Sequence, residues 1–109
     1  MFNLFNNTSN NLSNQNKQQN KIATQNVENF ETLQNARQDL IGEIEAIMQY
    51  DNHIRMTNDR LARETWENIK SEELTHVGEL LALLNHLDPS QRQYVEQGIN
   101  EFNERMNMK

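Results

Sequence analysis

Residues 60–87 read RLARETWENIKSEELTHVGELLALLNHL, and Leu61 or Ala62, Thr65, Ile69, Glu73, His76, Leu80 and Leu83 or Leu84 recur through them at helical, heptad-like spacing. The run predicts a long amphipathic helix. Its apolar face is interrupted twice, by Glu73 and His76 of Glu73-Leu74-Thr75-His76, a Glu-x-x-His element. A spacing of i to i+3 brings both side chains onto one face, where they can share a ligand.

Upstream, Val27, Phe30, Leu33, Leu40, Ile44, Ile47 and Ile54 mark another long helix, with Arg37 and Asp51 breaking its stripe. Met56-Thr57-Asn58-Asp59 separates the two and offers side chains that cap the following helix. Downstream, Asp88-Pro89-Ser90-Gln91 predicts a third, shorter helix: Asp88 caps, Pro89 takes the first helical position and Gln91 closes a capping box. Val95, Ile99, Phe102 and Met106 form its apolar face, with Gly98 a weak point. No strand-like alternation appears, so the expected class is all-α: an antiparallel helical hairpin plus a short third helix. Residues 27–109 form the expected domain. Residues 1–26, dominated by Asn, Gln and Ser, read as a disordered tail; the alternative is that the apolar tip, Met1-Phe2-Asn3-Leu4-Phe5, is a short docking peptide for a partner.

The chain of 109 residues has no cysteine, which excludes disulfides, thiolate zinc sites and rubredoxin-type iron. Any metal must sit on carboxylate, imidazole or phenol. A net charge of -6 argues against nucleic acid as a partner, because phosphates require clustered Lys and Arg. No stretch approaches the roughly 20 apolar residues of a membrane span, and no signal peptide is evident. The expected location is the cytoplasm.

Glu43 lies fifteen residues before Asn58 and Glu73 fifteen after it. With a rise of about 1.5 Å per residue, both carboxylates sit at one height, roughly 20 Å from the turn. A carboxylate on a buried stripe is costly unless a proton or a cation neutralises it. Two Glu and one His make half of a di-iron carboxylate site, which needs four helices carrying two Glu and two Glu-x-x-His elements. A hairpin is also half a bundle, with an apolar face left over. A two-fold homodimer supplies both missing halves, completing a four-helix bundle. One imidazole among hard oxygen ligands suits iron or manganese.

On Glu43, Tyr50, Glu73 and His76, with Thr57-Asn58-Asp59 and Asp88-Pro89, the stretch from about Ala36 to Phe102 resembles the encapsulated ferritin family, half-ferritins that are often cargo of encapsulin shells. The resemblance implies a ferritin-like fold and a ferroxidase oxidising ferrous to ferric iron for storage or detoxification. It implies Glu43 as a ligand bridging two irons shared between subunits, Glu73 and His76 as ligands within each subunit, and Tyr50 beside them in a supporting or redox role. Glu45 resembles a carboxylate of the family's site for incoming metal, although Gly42 stands at its usual partner position. Relatives form rings of dimers with the third helix at the contacts. Asn107-Met108-Lys109 carries no Gly-Ser-Leu-type targeting core, leaving an encapsulin shell addressed by the N-terminal stretch, or the open cytoplasm.

Two other readings stay open. One is a peroxide-reducing di-iron protein of the rubrerythrin type, which would need a separate electron donor. The other is a dimeric scaffold in which Glu43, Glu73 and His76 form a polar layer that fixes register. Among the remaining residues, His53 and His86 are expected to cap helices or face solvent. Glu72 is a substitute ligand for Glu73, Glu79 an acceptor that orients His76, and Trp66 a packing residue.

Overall fold

A computed structural model describes residues 4–108, with side chains described for 11–21 and 29–108. The apolar tip Met1-Phe2-Asn3-Leu4-Phe5 lies outside the side chains described. Three α-helices follow in order, α1 (Leu4–Met56), α2 (Arg60–Leu87) and α3 (Pro89–Asn107). The described residues contain no strand. No described helix is long and apolar enough to cross a membrane.

α1 begins well before Val27, where the apolar periodicity starts. No Gly or Pro precedes Gly42, so nothing in the backbone chemistry stops a helix once it has begun. Residues 11–21 are helical and exposed throughout, as side chains of Asn, Gln, Ser and Lys require. The chain divides into two compact units, Met1–Thr32 and Leu33–Lys109.

Within the second unit, α1 and α2 run antiparallel, because partners on α2 climb in number as those on α1 fall: His53 meets Trp66, Asp51 meets Lys70, and Glu43 meets His76. The turn between them is built by side chains. Asp59 accepts from the Ala62 amide at 2.7 Å, Thr57 Oγ1 accepts from the Asp59 amide at 3.1 Å, and Arg63 donates to the Thr57 carbonyl at 2.8 Å. These bonds satisfy amides and a carbonyl that the helix ends leave unpaired.

Asp88 is the whole connection between α2 and α3. Its amide donates to the Leu84 carbonyl at 3.0 Å, closing α2, and its carboxylate accepts from the Gln91 amide at 3.1 Å, opening α3 with Pro89 in the first turn. Gln91 does not close a capping box. Its side-chain oxygen instead accepts from Arg37 of α1 at 2.9 Å, and Arg37 also reaches Asp88 at 3.7 Å. The Asp88 amide is already spent on Leu84, so Gln91 is released for a long-range partner. Asp88→Ala is expected to cost about 1–2 kcal/mol, mostly the lost cap, since a partly exposed ion pair adds little; urea denaturation checks it.

The packing resolves the alternatives left by the stripes. Among the described residues Leu84 and Ala36 are the buried apolar ones, each 3% exposed, whereas Leu83 and Leu61 face outward. Ala62 and Ile69 are half-buried and Thr65 is exposed. Phe30 and Ile44 of α1 are exposed despite their place on the stripe, as are Ile99, Phe102 and Met106 of α3, while Val95 is half-buried. So little buried surface is unusual for a domain that is to be stable alone.

Candidate metal centre

α1 delivers Glu43 and α2 delivers Glu73 and His76 to one place. His76 Nδ1 lies 3.5 Å from Glu43 Oε1 and 3.6 Å from Glu73 Oε2. One donor atom from each residue falls within 4.8 Å of the others. The Glu43 and Glu73 side chains are 23% and 20% exposed and that of His76 48%, so two carboxylates lose much of their water while crowding one imidazole. The contacts are too long for good hydrogen bonds. Converging donors that do not satisfy one another suit a cation between them.

Donor atoms about 2.0–2.2 Å from a single ion stand at most about 4.4 Å apart. The trio therefore needs to close by only a few tenths of an ångström. Oxygen-rich donors with one imidazole are the chemistry of iron or manganese. Beside the trio lies a groove of about 730 Å³, lined by Asp39, Gly42, Glu43, His76 and Glu79 among others. Gly42 lines the groove, and a side chain built there would meet nothing within 4 Å.

Other residues singled out in the sequence stand apart from the trio. Tyr50 is half-buried two turns along α1 from Glu43, its ring against His53. Glu45 and Glu72 are exposed and outside the group, and Glu79 is exposed at the groove wall. His86 is exposed. His53 is not solvent-facing, however: its ring lies 4.9 Å from that of Trp66 and its Nδ1 is buried without a hydrogen-bond partner. Asp39 of the groove was not singled out; it lies one turn before Glu43, and that i to i+4 spacing was the available signal.

The fold has a counterpart among solved structures. The encapsulated ferritin domain from Pyrococcus furiosus superposes with a TM-score of 0.67 at 34% sequence identity, over 70% of this chain and 78% of that one. The chain belongs to the encapsulated ferritin family. A ferritin-like, iron-related class of function goes with that membership. A curated protein of Pyrococcus furiosus (strain ATCC 43587 / DSM 3638 / JCM 8422 / Vc1), a ferritin-like–encapsulin shell fusion protein, is 35% identical over 74 residues, or 68% of this chain. This chain spans 21% of the length of that fusion protein. No family model matches the sequence. In this member of the family the described residues form three helices, two of which carry the converging donors.

Proposed function

We propose that the protein is a ferroxidase whose substrate, ferrous iron, binds where Glu43, Glu73 and His76 converge and is oxidised there to ferric iron for storage or detoxification. The convergence of those three donor groups from two helices onto an open groove carries the reading. Two ferrous ions give up two electrons, which with two protons reduce one dioxygen to hydrogen peroxide. The carboxylates offset the charge that iron gains, and the imidazole fixes the geometry. Glu43, which faces His76 across the helix pair, would bridge the irons, Tyr50 would support the site from two turns away, and the groove carboxylates Asp39 and Glu79 would form an acidic approach for cations, with Glu45 offering a carboxylate apart from the groove.

A second copy of the chain completes the site. One trio offers two carboxylates and one imidazole, half of what a pair of irons takes. The exposed apolar residues Ile41, Ile44, Met48, Leu74 and Leu81 of α1 and α2 give a homodimer its cover. The exposed α3 face, with Ile99, Phe102 and Met106, then serves contacts between dimers. The functional domain is residues 27–109, with 1–26 as a tail. The fusion of a ferritin-like part to an encapsulin shell in the Pyrococcus relative supports action inside an encapsulin compartment.

Anaerobic ferrous titration followed by sedimentation tests the shared site. The expected result is one iron per chain, with iron shifting the chain toward dimer, since a ligand that binds the assembled form favours it. A monomer that binds iron stoichiometrically, or a dimer that binds none, overturns the reading. Admitting air should then yield ferric absorbance faster than an iron-only blank.

A further inference from the structure

Two turns from the converging donors lies a cluster of three rings, of which the ferroxidase reading uses only Tyr50. Tyr50 and His53 meet edge to face with ring centres 6.3 Å apart, and His53 lies 4.9 Å from Trp66 with the planes tilted by 45°. All three are half-buried between α1 and α2. His53 Nδ1 is buried and bonds to nothing, so within this cluster the imidazole acts as packing surface, holding the two larger rings in register.

The cluster is in register with the metal-binding layer. Tyr50 follows Glu43 by seven residues and Trp66 precedes Glu73 by seven, which is close to two helical turns in each case. Each ring therefore shares a face with the ligand on its own helix. At about 1.5 Å per residue, both lie about 10 Å from the ligands, on the side toward the turn. Indole and phenol are the most readily oxidised rings among the side chains. Trp66 is the chain's single tryptophan.

We propose that Trp66, reached through Tyr50 and His53, is a one-electron donor that protects the site when peroxide meets a single ferrous ion. This rests on the ferroxidase reading, whose product is that peroxide. Reducing peroxide to water takes two electrons, and one ferrous ion supplies one. Trp66 supplies the other and loses its indole N–H proton to solvent, leaving a neutral indole radical. The balance is one ferrous ion, one indole, one peroxide and one proton consumed, with one ferric ion, one indole radical and two waters formed. The O–O bond breaks and both oxygens leave as water. Without the indole, the missing electron is torn from the ligands themselves.

The test uses the full chain loaded anaerobically with less than one ferrous ion per chain, mixed with hydrogen peroxide, frozen and examined by electron paramagnetic resonance. Indole emission is followed in parallel. Wild type is expected to give an indole radical and to lose emission with each peroxide addition. Trp66→Phe should lose that signal, and Trp66→Tyr, which keeps a ring against His53, should replace it with a phenoxyl signal. Iron oxidation at the normal rate with no indole radical and unchanged emission overturns the proposal alone. So does equal loss of emission in Glu73→Ala, which would mean attack from bulk solution. If wild type oxidises iron no faster than the blank, the ferroxidase reading fails and this proposal with it.

Discussion

Glu73→Ala is expected to reduce ferrous oxidation to the rate of an iron-only blank while leaving the helical fold in place. Glu73 is a fifth exposed and touches His76, but no other described side-chain contact depends on it. Its removal deletes one of three donors and leaves Glu43 and His76 facing a gap. Losing a residue that merely orients a metal ligand already costs about 10–100-fold in affinity or activity. Losing the ligand itself should therefore cost at least about a hundredfold. Ferric absorbance reads the rate and circular dichroism the fold. If the variant oxidises iron as fast as wild type, the trio is a polar layer that sets helix register, and the iron is oxidised elsewhere.

Leu84→Ala should give the largest loss of stability of any single truncation. Leu84 is one of two buried apolar residues among those described, and it stands one turn before Asp88, whose amide bonds to the Leu84 carbonyl. Truncating a buried leucine costs about 2–5 kcal/mol. In a domain of this size each kcal/mol moves Tm by about 4–8 °C, so Tm should fall by at least about 8 °C. Leu81→Ala, at an exposed position, should fall by well under half as much. Equal losses at the two positions would show that Leu81 is buried in the assembled protein, and would strengthen the case for a partner copy on that face.

The convergence of Glu43, Glu73 and His76 is legible in the sequence because it depends on counting along regular helices. Glu43 and Glu73 are equidistant from Asn58, and a helix converts equal counts into equal heights. Glu73 and His76 share a face for the same reason. The turn at Thr57-Asn58-Asp59 and the corner at Asp88-Pro89 were legible because capping is local chemistry. What could not be read depends on tertiary choice. Leu83 and Leu84 are neighbours, and which one turns inward depends on the exact rotation of α2 against α1. Arg37 looked like a break in the α1 stripe. Its partner, Gln91, is 54 residues away, and no local pattern announces such a pair. The expectation that His53 caps a helix or faces solvent rests on its position near a helix end, which says nothing of its packing partner on the other helix, Trp66.

Asp88 gives the joint between α2 and α3 no slack, since a single residue ends one helix and starts the next. One residue more or fewer at that point would turn α3 by about 100° around its own axis. Val95 would swing out of its half-buried place, and Gln91 would move away from Arg37. The joint works like a gear with no play, in which the heading of α3 is set by the tooth at which α2 stops. The length of this corner is therefore as constrained as the cap that Asp88 supplies.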